Sequence, residues 1–398
     1  TVEDALEHKD EFEPDVARVL ELRQLLSKAS IKKYSTVVTT MCEDGRIRGL
    51  LQFYGANRTG RWAGRLVQVQ NLPRTYLHGA MLDTARDLTR RKLPEGLELL
   101  YGSVPGTLSQ LVRTALVPRP GCKFVDADFS AIEARVVAWL AGEEWVLQVF
   151  RTHGKIYEAT ASQMFGVPLD RIVKGNPEYA LRQKGKVATL ALGYQGGSSA
   201  LIAMGALKNG LTEEELPDIV SRWRQANRAI VRCWKAVEQA AIQAVETGRS
   251  CATHGLVFAR EADIDSGLDF LTIRLPSGRK LYYAQPHFGV NQWGGKQLRY
   301  YGMNQMTKKW SVIETYGGHM TENIVQAIAR DCLAVNIERL ENAGFPIVFH
   351  IHDEVVIEVP EDRADLDEVT RIMGQPVDWA PGLPLAADGW VGDYFTKD

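Results

Sequence analysis

Apolar positions change period several times along the chain, and the changes divide it into elements. Residues 10–33 place Val16, Val19, Leu20, Leu22, Leu25 and Leu26 at helical spacing before a basic turn, which predicts a helix. Residues 47–74 read as short strands and loops with Gly-Arg punctuation. Lys123 to Phe129 is an apolar strand ending in acid, and Ser130-Ala131-Ile132-Glu133 has the capping-box spacing that starts a helix running to about Gly142. Helical periodicity dominates 150–250, including Ile219 to Thr247. Val257 to Tyr283 reads as hairpins turning at Pro276-Ser277-Gly278, Thr321 to Leu340 as helix, and Pro346 to Val359 as an acid-tipped hairpin. No repeat, low-complexity tract or linker interrupts this order, so the plan is a helical block inserted between two strand-containing halves.

That last hairpin sets His352-Asp353-Glu354 between two β-forming runs. A carboxylate among apolar side chains is costly unless a cation or hydrogen-bond donors compensate it. Lys123-Phe124-Val125-Asp126-Ala127-Asp128-Phe129 repeats the pattern far upstream. Two acid-tipped strands point to a divalent-metal site in a sheet. A tight turn whose Asp bonds local backbone accounts for Asp353 about as well.

Composition describes an ordinary globular chain of 398 residues, 45% hydrophobic and 24% charged, long enough for two or three domains or one multi-lobed one. No apolar run is long enough to span a bilayer and no secretory signal opens the chain; beginning on Thr1, it is expected to be a trimmed piece of something longer. Cys42, Cys122, Cys233, Cys251 and Cys332 form no CxxC pair, which argues for a reducing compartment and against disulfides or structural zinc. The net charge of −2 does not point to nucleic acid, but its distribution does. Arg46 to Leu82 holds six arginines (Arg46, Arg48, Arg58, Arg61, Arg65, Arg74) and no acid. Tyr179 to Thr212 holds Arg182, Lys184, Lys186 and Lys208, again without acid. Leu271 to Ile313 holds Arg274, Arg279, Lys280, Lys296, Arg299, Lys308 and Lys309, interleaved with Tyr282, Tyr283, Trp293, Tyr300, Tyr301 and Trp310. Solvated faces balanced by acids elsewhere explain any one stretch; three favour a polyanion that is gripped and stacked upon.

If Leu181 to Tyr194 is helical, Arg182, Lys186, Leu190 and Tyr194 share one face. Two cations one turn apart suit a triphosphate, and the leucine and phenol suit a base and sugar. A plain amphipathic helix with a solvated basic end is the competing reading. Taken together, the parts point to phosphoryl chemistry, with two Mg²⁺ ions about 3.5–4 Å apart between the acid strands.

These segments resemble family A DNA polymerases, the DNA polymerase I group, and most closely the phage-type members. Asp128-Phe129-Ser130-Ala131-Ile132-Glu133-Ala134-Arg135 matches motif A, D-x-S-x-I-E-x-R. Arg182 through Tyr194 matches motif B, R-x3-K-x7-Y, and His352-Asp353-Glu354 matches motif C, H-D-E. Thr59-Gly60-Arg61 and Val69-Gln70-Asn71-Leu72-Pro73-Arg74 resemble the family's T-G-R and L-Q-N-[IL]-P segments, and the order over roughly residues 45–398 is the family's.

The resemblance implies an α+β right-hand polymerase fold: an antiparallel palm sheet, helical fingers and a truncated thumb. The corresponding spans are 1–44 for a thumb remnant, 45–144 for the first part of the palm, 145–310 for the fingers and 311–398 for the second part. It implies a template-directed DNA polymerase adding dNTPs to a primer 3′-OH with two Mg²⁺ ions, Mn²⁺ serving as a substitute. Asp128, Asp353 and the backbone carbonyl of Phe129 would be metal ligands, and Glu354 an accessory acid. Arg182 and Lys186 would hold the triphosphate, Lys186 also protonating the pyrophosphate. Leu190 and Tyr194 would meet the nucleotide and the template–primer junction, Tyr157 would stand in the place of a phosphate-contacting His, and Glu133 would crowd the sugar 2′ position. Thr59, Arg61, Gln70, Asn71, Gln326 and His352 would contact primer or template, and base pairing would carry the sequence information. The implied setting is the cytoplasm of a bacterium or phage-infected host, with no membrane partner; a separate exonuclease, helicase or processivity partner is left open.

There are departures. Leu190 stands where Phe or Tyr is frequent, Thr189 where Asn is, and Gln195 where Gly is. About 50 residues separate Pro73 from motif A, so a local insertion is expected. Only about 45 residues precede the polymerase core, so weak processivity and no 3′→5′ exonuclease are expected of this chain by itself. A single-subunit RNA polymerase relative, which Glu133 argues against, a non-catalytic DNA-binding relative and a metal-dependent nuclease are the competing readings.

Overall fold

The computed structural model describes residues 5, 6, 8, 11–27, 31–265, 267–291 and 294–396; Trp293 lies outside them, as do the side chains of Leu25 and Leu26. In chain order the strands begin with β1 (Leu51–Ala56), β2 (Arg61–Gly64), β3 (Cys122–Phe129), β4 (Cys251–Thr253), β5 (Leu256–Ala262) and β6 (Asp269–Arg274). They continue with β7 (Lys280–Val290), β8 (Lys296–Met303), β9 (Trp310–Thr315), β10 (Ile347–Ile351), β11 (Glu354–Pro360) and β12 (Ala387–Gly392). The helices that position the site are α1 (Ile132–Ala141), α2 (Ile156–Phe165), α3 (Leu181–Leu192), α4 (Arg228–Thr247) and α5 (Gly317–Asn342).

A four-stranded antiparallel sheet in the order β10-β11-β3-β12 forms the centre. Strand alternation explains how it carries acid. Val125, Ala127 and Phe129 point to the large core shared with Val355, Ile357 and the Ile324, Ile328 and Cys332 side of α5. Phe124 points the other way, into a smaller cluster with Val67, Val69, Leu72, Val112, Phe349, Val356 and Phe395. Asp126 and Asp128 alternate with the first set and therefore lie on the second face. Helices fill the chain from Ile132 to Thr247, between β3 and the β10–β11 hairpin whose second strand pairs with it.

Two local expectations change. The helix predicted over 219–247 is two, Leu216–Ala226 and α4, because Asn227 leaves helical geometry and its side-chain amide donates to the Trp223 carbonyl at 2.9 Å. Within 145–310 helices run as far as Thr247, and the hairpins expected over Val257 to Tyr283 follow as part of a six-stranded antiparallel sheet, β4–β9. Its inner face buries Phe258, Leu271, Ile273, Leu281 and Tyr283, with Tyr283 packed edge-on against Tyr300. The predicted N-terminal helix appears as Pro14–Ser27, with a second helix over Lys32–Thr40. Between Pro73 and β3 lie three short helices, Gly79–Arg90, Pro94–Tyr101 and Val104–Leu111, around Leu82, Ala85, Leu97 and Leu111.

Candidate active site

The β10–β11 hairpin closes on a two-residue turn, His352-Asp353, with Ile351 paired to Glu354. His352 adopts φ 51°, a left-handed conformation that costs a non-glycine residue energy and clusters at functional sites. The turn lies against motif A: the Phe129 amide donates to the Asp353 carbonyl at 3.1 Å, and Glu354 pairs in register with Asp128. Asp353 is thus a turn residue and also a neighbour of the Asp128 strand end. Glu354 is 1% exposed, and its charge faces Arg113, whose own pKa burial holds below the usual arginine range. His352 is exposed. Asp388 of β12, which the sequence reading did not single out, stands opposite Asp128 on the other side.

Among the described residues no three His, Cys, Asp or Glu side chains gather closely enough to hold a metal by themselves. Asp128, Asp353 and the Phe129 carbonyl supply oxygen donors only. Such a partial set fits a hard cation like Mg²⁺, which keeps several waters and accepts phosphate oxygens.

Beside this acid edge opens a cleft of about 610 Å³, lined by Glu133, Tyr157, Leu190, Tyr194, Glu322, Gln326 and Asp353 among others. Helix α3 forms one wall. Leu190 is 48% exposed, while the Thr189 hydroxyl donates to the Gly185 carbonyl at 2.8 Å. Gly185 lets α3 approach α2 closely, since a Cβ there would collide with the Tyr157 carbonyl oxygen. That approach sets the Arg182 guanidinium 5.4 Å and the Lys186 ammonium 5.9 Å from the centre of the Tyr157 ring. Arg182 is also held by Glu158 at 2.8 Å, a partner the sequence reading missed. The pattern R-x3-K hides it because Glu158 is on another helix.

Glu133 does not close a capping box. Ala131, at φ 52°, precedes the helix, no side chain caps its first turn, and the Ser130 carbonyl instead accepts from Arg135 at 2.6 Å. Glu133 is thereby left to face the cleft, where Arg61 pairs with it at 2.6 Å and the Tyr194 hydroxyl donates to it at 2.9 Å. Burial, then the nearby Glu133 charge, pushes the Tyr194 phenol well above its ordinary pKa. The end of α3 is fixed further back, where Trp234 donates to the Gly193 carbonyl at 2.9 Å and Gln195 accepts from the Gly318 amide at 2.9 Å. Gln195 does so at φ 66°.

The opposite wall is α5 with the Thr59-Gly60-Arg61 loop. Gln326 donates to Glu322 at 3.2 Å, and burial with the Glu133 charge raises the Glu322 pKa. Arg330, one turn beyond Gln326, donates to the Gly60 carbonyl at 3.1 Å and so anchors the loop that aims Arg61. The Thr59 side chain is buried and accepts from the Arg61 amide at 3.3 Å. Gln70 is packed against Gly64 of β2, and exposed Asn71 donates to Gln68 at 3.2 Å. Glu133, Tyr157, Leu190, Tyr194, Gln326 and Asp353 line one cleft; Arg61 reaches it through Glu133, and Arg182 and Lys186 through Tyr157, while Asp128 stands beside the Asp353 turn.

The family model for DNA polymerase family A matches residues 1–256. The chain belongs to that family. Among family A relatives, the DNA polymerase of Bacillus phage SP02 is 57% identical over 384 residues, covering 96% of this chain and 58% of that protein. The thermostable DNA polymerase I of Thermus aquaticus is 26% identical over 297 residues, 73% of this chain and 29% of that enzyme. The chain thus spans little more than half the length of the phage relative. A solved POL domain of Pol1 from M. smegmatis, in complex with DNA primer-template and dNTP, superposes with a TM-score of 0.59 at 19% identity. It covers 98% of this chain and 55% of that one, and shows the same family A fold.

Proposed function

We propose that this chain is the catalytic part of a template-directed DNA polymerase that joins a dNTP to a primer 3′-OH. The observation that carries the reading is one cleft lined by Glu133, Tyr157, Tyr194 and Asp353, with Asp128 on the strand beside the Asp353 turn and the Arg182–Lys186 face of α3 against Tyr157. The incoming triphosphate lies along Arg182 and Lys186, which balance its charge as it develops on the leaving pyrophosphate. Lys186 supplies a proton to the departing phosphate oxygen. Leu190 and Tyr194 form an apolar platform for the base, and the Glu133 carboxylate occupies the volume a 2′-hydroxyl would need. Gln326 and Arg61 touch the groove edge of the terminal base pair. Two Mg²⁺ ions held by Asp128, Asp353 and the Phe129 carbonyl would, when bound, activate the 3′-hydroxyl and steady the pyrophosphate. The remaining oxygens would come from water and the phosphates.

Asp128→Ala and Asp353→Ala test this directly. Primer extension should fall by about 10³-fold or more, several kcal/mol of barrier, while primer–template binding is largely kept. Extension that survives in either variant rules out the site assignment. Labelled DNA incubated with Mg²⁺ and no dNTP should stay intact, which separates this reading from a nuclease.

A further inference from the structure

About half of the cations in the three acid-free basic stretches find a carboxylate in space. In the 271–313 stretch, Arg279 pairs with Asp331, Lys280 with Glu261, Lys296 with Glu246 and Arg299 with Glu314. Lys308 and Lys309 form no ion pair among the described residues, and they are adjacent, in the turn between β8 and β9. The turn is built rather than loose. The Asn304 side chain accepts from the Met306 and Thr307 amides at 2.9 and 3.0 Å, and its backbone bonds Lys308 and Lys309. Lys308 takes φ 55°. The turn also exposes apolar surface: Met306 is 93% and Trp310 59% exposed. β9 is the edge of its sheet, and lysines at an edge also discourage strand pairing between molecules.

Position separates the two roles. Arg58, the residue before Thr59-Gly60-Arg61, donates to the Met303 carbonyl at 3.4 Å and lies 3.5 Å from His319 Nε2 near the start of α5. The turn is therefore tied to the loop that aims Arg61 into the cleft. We propose that the Asn304–Lys309 turn is a docking surface for the sugar–phosphate backbone of the primer–template duplex, with Lys308 and Lys309 on phosphates and Met306 and Trp310 against sugars. This rests on the polymerase reading for where the duplex lies.

The test is binding of a labelled primer–template across a salt series. Each phosphate contact contributes about 0.9 to the slope of log affinity against log salt, so Lys308→Gln/Lys309→Gln should flatten the slope by about 1.8. Extension products per binding event, measured with a DNA trap, should shorten. Met306→Ser should shorten them without moving the slope. Melting followed by circular dichroism confirms that the variants fold. An unchanged slope overturns the proposal, as does a loss seen only on unprimed single strand, and aggregation without either effect assigns the lysines to edge protection. Primer extension by the unaltered chain keeps the two readings apart: if it adds no nucleotide to the primer while the lysine variant loses slope, the polymerase reading fails and the docking surface stands.

Discussion

At the scale of single residues, the cleft is organised by anions that hold its cations and phenol in place before any ligand arrives. Glu133 accepts from both Arg61 and Tyr194, so it couples the α5-side wall to α3. Glu133→Ala should raise ribonucleotide incorporation, by roughly 10- to 100-fold for steric discrimination of this kind. Competition between dNTP and rNTP on one template measures it, and unchanged selectivity removes the 2′-gate role. Glu158 is the second such anion, pairing half-buried with Arg182. A triphosphate must share or displace it, so Glu158→Gln should tighten dNTP binding by about 2- to 5-fold, the worth of a partly exposed ion pair. A weaker dNTP affinity instead would mean that Glu158 orients Arg182 productively.

At the scale of elements, what was readable in the sequence was what local spacing determines. The α3 face, the acid-tipped β3 and the β10–β11 hairpin follow from periods of four and two, and each stands where the pattern placed it. Ser130-x-x-Glu133 had the right letters for a capping box, but the left-handed Ala131 turns the chain so that Ser130 meets Arg135 and Glu133 meets the cleft. Spacing cannot show that competition. Nor can it show Glu158, Asp388 or Arg330, whose partners lie on other elements, or that about half the cations of the acid-free basic stretches find carboxylates across the fold. Gly185 is legible only afterwards, as the contact point of α2 and α3. Gly185→Ala should therefore separate the helices, costing about 1–3 kcal/mol of stability and weakening dNTP affinity together. A variant that keeps its melting temperature and its dNTP Kd contradicts that role for the contact.

At the scale of the whole molecule, the central sheet, the β1–β2 hairpin and α5 meet at one stack. The His350 ring of β10 stands edge-on to Trp62 of β2 at 4.6 Å, and the Arg330 guanidinium of α5 lies 4.2 Å from the centre of the Trp62 indole. Burial first, then the charges of Arg330 and His352, pushes the His350 pKa down to about 4. Unfolded, it returns to about 6.5. Between those values the unfolded chain binds the extra proton, so His350 favours folding fully above about pH 6.5 and loses that contribution as the pH falls to about 4. The span corresponds to about 3 kcal/mol at most. His254 and His319, also lowered by burial, act in the same direction. Glu143, Glu238 and Glu322 have raised pKa values and favour the fold more as they protonate. Total acid sensitivity therefore mixes signs, and the difference between wild type and His350→Gln isolates this one group. Melting temperatures measured from pH 7 to pH 4 should fall more steeply for the wild type, the two curves converging toward the acid end. Parallel curves would place the acid sensitivity elsewhere and leave the His350–Trp62–Arg330 stack as packing alone.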